Sequence, residues 1–403
     1  MKVLYFHQHF STPQGATGTR SYEFSRALVA AGHDVKIICG SYWIADSGLK
    51  TAFVDGKRSG IVEGINVTEL ELPYSNSDSL LKRSLLFLKY SLSGIRIALK
   101  QDYDILFASS TPLTASIPGI VAKLVRNKPF IFEVRDLWPE LPRAMGIINN
   151  PVTLKLLDGL ESISYKYAAK CIALAPGIAE GITRKYPRKE IVVIPNGSDK
   201  YQGALNLTKG KQQKFIAVFT GAHGVANGLD AVLDVAVELK RLNEHEIEIQ
   251  FIGDGKLKQD LIKRSKQEEL SNCQFLDPMS KIDLFRHLAD TAHVGLMVLD
   301  NIPEFYRGTS PNKFFDYISL GLPVIMNYPG WLAGLIKDKE CGLTVSPGSA
   351  TEFAEALIYL KDHQEIHNQM SSNSHLLSVS SFDRLVLANK FVAYLESTWQ
   401  KDS

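Results

Sequence analysis

The chain has 403 residues, of which 45% are hydrophobic and 22% charged, with a formal net charge of +2 at pH 7. That length calls for two domains of about 200 residues each, the composition excludes a disordered chain, and so balanced a charge excludes nucleic-acid binding driven by a global excess of cations. Cys39, Cys171, Cys273 and Cys341 stand far apart with no CxxC spacing and no neighbouring histidines, so neither a metal site nor a disulfide framework is expected, and a reduced cytoplasm suits them. The opening Lys2-Val-Leu-Tyr-Phe-His7 turns polar too soon for a signal peptide, and no apolar run approaches about 18 residues, so a membrane-spanning chain is not expected.

Residues 3–6 form a short apolar run. A loop follows, His7-Gln-His-Phe-Ser-Thr-Pro-Gln-Gly-Ala-Thr-Gly-Thr-Arg20, and then helical spacing at Tyr22, Phe24, Leu28 and Val29. This is strand, glycine loop, helix. Gly15 and Gly18 do not match GxGxxG, which rejects a dinucleotide site. Two readings stay open: a loop that approaches a ligand closely, or a turn with positive φ at its glycines and Arg20 as a surface cation. Residues 32–40 supply a second strand and residues 61–72 at least one more. Between residues 80 and 100, Leu80, Leu81, Leu85, Leu86, Leu88, Leu92, Ile95 and Leu99 alternate with Lys82, Arg83, Lys89, Arg96 and Lys100, with no acid among them. A basic amphipathic helix of this kind suits an anionic membrane surface, and a helix packed on the core carries lysines too; both readings stay open. Asp102-Tyr-Asp104 precedes a strand and reads as a solvated turn. In Pro129-Phe-Ile-Phe-Glu-Val-Arg-Asp-Leu-Trp-Pro-Glu140 an apolar strand ends in Glu133, Arg135 and Asp136. Ligands of open α/β sheets gather at the carboxyl ends of strands, which makes these charges site candidates. A helix over 150–170, strands over 171–177 and 190–199 and a polar, lysine-rich linker over 198–214 complete the first half.

The second half restarts the same pattern in Lys214-Phe-Ile-Ala-Val-Phe-Thr-Gly-Ala-His-Gly-Val-Ala-Asn-Gly-Leu-Asp230. Strands over 247–255, 273–279 and 293–300 follow, then a turn and short helix over 329–339, a strand over 342–345, a helix over 350–360 and helical spacing over 382–398. The most informative stretch is Arg307-Gly-Thr-Ser-Pro-Asn-Lys-Phe-Phe-Asp-Tyr-Ile-Ser-Leu-Gly-Leu-Pro-Val-Ile-Met326. It predicts a helix over about 311–320, with Ser310 as N-cap, Pro311 at the first helical position and Gly321 closing the helix in a left-handed conformation. Phe314, Phe315 and Ile318 would pack, and Lys313, Asp316 and Tyr317 would share a face open to a ligand. Free amides at the helix start together with Lys313 make a phosphate site; Asp316, one turn on, could hold a sugar hydroxyl.

This stretch resembles the nucleotide-sugar motif of the family 4 retaining glycosyltransferases of GT-B fold, in which two glutamates eight positions apart precede a small-residue turn and a Pro-Val strand. The Ser-Pro-Asn-Lys and Arg-Asp-Leu-Trp-Pro wording is similar to the bacterial surface-polysaccharide branch. The resemblance implies an α/β chain of two Rossmann-like doubly wound domains facing a cleft, an acceptor domain over 1–198 and a nucleotide-sugar domain over 199–381, with a helix over about 382–403 returning to the first. It places Asp316 at the second glutamate, on the nucleotide ribose, and Gly308 at the first, whose sugar role is therefore missing. The arginine and lysine that the family aims at the diphosphate fall on Ala222 and Asn227, so His223, Asn227 and the backbone from Gly221 to Gly224 remain as neutral donors, and the charge passes to Lys313 and Arg307. Gly15, Gly18 and Arg20 become cleft residues, Asp254 and Met279 frame the base, and Pro311 and Asn312 belong to the donor loop. Arg135 stands where a histidine is common, and Asp136 is expected at the reacting hydroxyl. The implied enzyme is metal-independent, needs no cofactor beyond a UDP-linked donor, carries an N-acetylated hexosamine to a lipid-linked or glycan acceptor, and works in the cytoplasm at the inner face of the cell membrane. A non-hydrolysing sugar-nucleotide epimerase and a non-catalytic sugar-nucleotide binder stay open as alternatives.

Overall fold

The computed structural model describes residues 1–75, 78–200 and 214–402. Of the expected linker, residues 201–213 lie outside the described residues. The chain divides into two compact units, one of Met1–Pro195, Arg307–Ser310 and Arg384–Ser403, the other of Asn196–Tyr306 and Pro311–Asp383.

The first unit holds an eight-stranded sheet: β1 Lys2–Phe6, β2 Asp34–Tyr42, β3 Lys57–Val62, β4 Ile65–Tyr74, β5 Ile105–Ser109, β6 Phe130–Val134, β7 Lys170–Ala173 and β8 Ile191–Val193, in the order β3-β4-β2-β1-β5-β6-β7-β8. All pairings are parallel except that of β3 with β4. The central strands are covered on both faces, which is why β5 and β6 are buried throughout and, apart from Ser109 and Glu133, read as apolar runs instead of alternating ones. The edge hairpin was only half legible. Its turn, Glu63-Gly64, takes φ of +46° and +83°, the signature of a two-residue type I′ turn, without the usual Asn-Gly or Asp-Gly marker. Helix Arg384–Asp402 closes this unit's core, with Phe391 stacked on Phe24 at 4.4 Å between ring centroids. Burying a ring of that size is worth about 1.5–3 kcal/mol.

The second unit holds β9 Phe215–Thr220, β10 Ile247–Ile252, β11 Cys273–Leu276, β12 Val294–Met297, β13 Val324–Met326 and β14 Gly342–Thr344, in the parallel order β11-β10-β9-β12-β13-β14. Sequence-successive strands diverge at β9, so the loop after β9 opens at the switch point of the sheet, where α/β folds bind ligands. Helix Gln364–Ser381 was not foreseen. Its buried residues are His367, Ser371, Ser374, Leu377 and Ser378, of which only Leu377 is apolar, so a search for apolar periodicity passes over it. Ser374 Oγ donates to the Cys341 carbonyl, and His367 Nε2 lies 2.9 Å from the His293 carbonyl. Among the described residues no helix is long and apolar enough to cross a membrane.

Candidate donor and acceptor sites

The motif helix runs Asn312–Ser319. The expected cap is corrected: Pro311, at φ −73° and ψ 137°, is the N-cap, and Ser310 falls one residue too early because the residue before a proline is held extended. Gly321 takes φ +65°, the left-handed closure expected of it. Tyr317 is also corrected. It is fully buried, its hydroxyl accepts from the Thr220 amide at 2.9 Å, and it binds the helix to β9 instead of facing a ligand.

Lys313 projects towards the loop after β9. Its ammonium stands 3.6 Å from the centre of the Phe219 ring and donates to Asn227 Oδ1 at 3.3 Å, while Asn227 Nδ2 donates to the Ala222 carbonyl at 2.7 Å. No carboxylate lies within salt-bridge distance of it among the described residues. Burial alone pushes its pKa down to about 7. A Cβ at Gly221 would stand 3.5 Å from this ammonium, and one at Gly253 would stand 1.9 Å from the Gly221 carbonyl oxygen, so the loops after β9 and β10 meet backbone to backbone.

His223 is neutral, and neither ring nitrogen has a partner among the described residues. Its imidazole is fully buried beside the Phe219, Phe251 and Phe275 rings, and burial, helped by the Lys258 charge, lowers it to about 4. Its amide donates to the Asp254 carbonyl and that of Gly221 to Ile252, so two of the amides expected on phosphate are taken. Met279 packs against the cluster that contains Phe314 and Phe315. Asn312 Oδ1 is buried and has no partner among the described residues.

Asp316 is buried, and Oδ1 accepts from Lys281 Nζ, which also lies 3.3 Å from Asp199 Oδ2. Sequence reasoning missed Lys281 and also Lys258, whose ammonium reaches the Gly253 and Leu276 carbonyls and Asp277, tying the loops after β10 and β11 together. Isolated lysines at helix starts carried no signal.

In the first unit Arg20 is corrected. It is 1% exposed, pairs with Glu133 at 2.8 Å, and donates to the Ile194 and Pro195 carbonyls, so both charges belong to the fold. Gly15 is not at positive φ; a Cβ there would stand 2.2 Å from Ser11 Oγ. Gly18 is likewise absent from the positive-φ positions and lies two residues before helix Arg20–Ala30. Asp136 is raised by burial, against the lowering charge of Arg135 and a hydrogen bond from Thr111 Oγ1 at 3.2 Å. Arg135 Nη1 donates to His7 Nε2 at 3.0 Å, and since a guanidinium can only donate, His7 is neutral and its Nδ1–H donates to Ser21 Oγ at 2.8 Å. His7 was not singled out, although it stands at the carboxyl end of β1. Arg307 and Gly308 end the short helix Pro303–Gly308, and a Cβ at Gly308 would stand 3.2 Å from Ile178 Cγ1.

A family model described as glycosyl transferase 4-like domain matches residues 15–197, and one described as glycosyl transferases group 1 matches residues 208–376. No curated protein sequence matches the chain. Among solved structures, the chain is similar to sucrose-phosphate synthase from Thermosynechococcus elongatus, at 14% identity and a TM-score of 0.76 over 100% of both chains. It is also similar to Anabaena Alr3699/HepE in complex with UDP-glucose, at 17% identity and 0.67 over 98% of this chain and 100% of that one. A third likeness is to WaaG, a glycosyltransferase involved in lipopolysaccharide biosynthesis, at 13% identity and 0.68 over 97% and 98%. At such identities the structural likenesses carry the fold alone. With its two sheets matching GT-B glycosyltransferases and the two family models covering its two halves, the chain belongs to the family 4 glycosyltransferases of GT-B fold.

Proposed function

We propose that the chain transfers a sugar, with retention, from a UDP-sugar to a lipid-linked or glycan acceptor in surface-polysaccharide synthesis, and that the sugar is an N-acetylated hexosamine. The observation that carries this reading is Lys313. An ammonium lying on an aromatic ring, with an amide oxygen as its polar partner and no carboxylate nearby, gains most from an anion, and the diphosphate of a nucleotide sugar supplies one. Asp316 on the same helix takes the ribose, and Asn312, with its unpartnered Oδ1, is placed to accept from a donor-sugar hydroxyl. Charge on the leaving diphosphate grows towards the transition state, so the Lys313 contact strengthens there and lowers the barrier, with no metal required. A phosphate oxygen takes the acceptor proton on the face from which the diphosphate departs, and the new bond forms on that face. Asp136 and Arg135 bind and orient the acceptor hydroxyl.

Helix Leu80–Lys100 favours the membrane reading over the packed one. It buries Leu86, Tyr90, Ser91, Gly94 and Ala98, and leaves Leu81, Leu85, Leu88 and Leu92, at helical spacing, 50–73% exposed beside Lys89 and Arg96. A stripe of leucines flanked by cations fits the headgroup zone of an anionic leaflet, which is where a lipid-linked acceptor would lie.

Release of UDP from UDP-N-acetylhexosamines, followed with and without short-chain lipid-linked saccharides, tests the reading. Acceptor-dependent release with a product of unchanged anomeric configuration is expected. An epimerised nucleotide sugar, or binding without turnover, would replace it with one of the two alternatives.

A further inference from the structure

Resting on the assignment of Arg135 and Asp136 to the acceptor hydroxyl, we infer that His7 is a positioning residue for that site: it holds the Arg135 guanidinium off Asp136, so that the carboxylate stays open to the acceptor. Three strand ends meet here. β1, β5 and β6 are neighbours in the first sheet, and His7, Ser110, Thr111, Arg135 and Asp136 follow their carboxyl ends. The backbone is pinned by Ser110, whose amide donates to the Glu133 carbonyl and whose hydroxyl accepts from the Arg135 amide, both at 2.9 Å. With the main chain fixed, what remains to be set is where the guanidinium goes.

Arg135 and Asp136 are neighbours in sequence, and the arginine's charge works against the burial that raises the carboxyl. Opposite charges so close favour a direct ion pair. None forms among the described residues. Nη1 donates instead to His7 Nε2 at 3.0 Å, and Asp136 accepts its one hydrogen bond on Oδ2, from Thr111 Oγ1 at 3.2 Å, which leaves Oδ1 for a hydroxyl. A carboxylate in the place of His7 would neutralise the arginine, whereas a neutral imidazole takes one donor and leaves the charge intact. His7 is 2% exposed, and its tautomer is set by the bond from Nδ1–H to Ser21 Oγ at 2.8 Å. Ser21 lies in the first turn of helix Arg20–Ala30, which the buried Arg20–Glu133 pair anchors to β6. Burial and the charges of Arg135, His9 and Arg20 all favour neutral His7, and the charge acting on Asp136 is that of Arg135. The relay therefore runs from Ser21 through His7 to Arg135, and it ends at a carboxylate oxygen without a partner among the described residues.

The test follows acceptor-dependent release of UDP from a UDP-N-acetylhexosamine, with a short-chain lipid-linked saccharide as acceptor and saturating donor, as a function of pH in the full chain. Melting and UDP affinity serve as controls. His7→Leu should lose roughly 10- to 100-fold in kcat/KM for the acceptor, the worth of a hydrogen bond to a charged group, while UDP affinity holds. The released guanidinium then pairs with Asp136, so the acid limb of the kcat/KM profile should move down by roughly one pH unit. His7→Gln, which puts an amide oxygen where Nε2 stood, should come back to within about 5-fold of the wild type. Ser21→Ala frees the imidazole to carry its proton on Nε2, against the guanidinium, and should lose roughly 3- to 10-fold. Because His7 acts through Arg135, His7→Leu should cost almost nothing more in an Arg135→Gln background. An equal loss with and without Arg135, or an unmoved acid limb, would overturn the inference and make His7 a direct substrate contact or a part of the fold. If Arg135→Gln and Asp136→Asn themselves leave the acceptor kinetics unchanged, it is the acceptor assignment that is wrong. Should His7→Leu melt too low to assay, the milder variants decide: full activity in Ser21→Ala, or a His7→Gln as poor as Arg135→Gln, overturns the inference equally.

Discussion

Lys313→Met isolates the leaving-group charge, and its effects on stability and on function should run in opposite directions. Burial lowers Lys313 from 10.5 to about 7, so the fold disfavours the ammonium. Because the unfolded chain binds the proton more tightly, stability should rise with pH between about 7 and 10.5 and should lack this term below 7. At about 1.4 kcal/mol per unit the penalty at neutral pH has a ceiling of about 5 kcal/mol, and partial exposure of the side chain reduces it to roughly 2. Lys313→Met, an uncharged side chain of similar length, should therefore melt roughly 5 °C higher at pH 7 and lose the alkaline rise in stability. Function should suffer. A diphosphate restores the ammonium, so wild-type UDP binding at pH 8 should take up about 0.9 proton, and UDP affinity should fall as pH rises above 7. In Lys313→Met that uptake should vanish, and turnover should drop by roughly two to three orders of magnitude, the worth of one lost transition-state donor. Calorimetry of UDP binding in buffers of different ionisation enthalpy reads the proton directly. An undiminished uptake in Lys313→Met, or a near-normal turnover, would refute the assignment and leave Arg307 to be tested in its place.

Two other perturbations follow from the first unit. Arg20→Ala leaves Glu133 buried and uncompensated, which should lower the melting midpoint by roughly 10 °C; an unchanged midpoint would return Arg20 to the list of ligand contacts. Leu85→Glu with Lys89→Glu and Leu92→Glu, all on the outer stripe of helix Leu80–Lys100, should abolish co-sedimentation with anionic liposomes at low salt and leave melting unchanged, and persistent co-sedimentation would reject the membrane reading.

The alternation of strands and helices was legible because buried parallel strands are written in apolar runs, as in Ile105–Ala108, and because Gly321 marks a helix end by a conformation few other residues accept. What stayed hidden was whatever depends on contacts far apart in sequence. Glu133 and Arg20 are 113 residues apart; Glu133 looked like a site charge at a strand end and Arg20 like a cleft residue or a surface cation after a glycine loop, and only folding reveals that they neutralise each other. Helix Gln364–Ser381 hid for a different reason, since Leu377 is the one apolar residue it buries, among serines and a histidine of which Ser374 and His367 meet carbonyls of other elements.

The choice among the second unit's buried lysines shows why charge has to be weighed against its surroundings and not merely counted. Lys258, Lys281 and Lys313 each stand at or near a helix start, an unfavourable place for a cation, so each needs compensation. Lys258 has Asp277 and two carbonyls, and Lys281 has Asp316 and Asp199, so an arriving diphosphate would gain little from either ammonium and would have to compete with carboxylates already in place. Lys313 has an amide oxygen and the face of a ring, and burial lowers its proton affinity. With the family's two loop cations replaced by Ala222 and Asn227, Lys313 is the one of these three lysines with no carboxylate partner among the described residues, which is why the diphosphate is assigned to Lys313 and the ribose to the carboxylate that Lys281 holds.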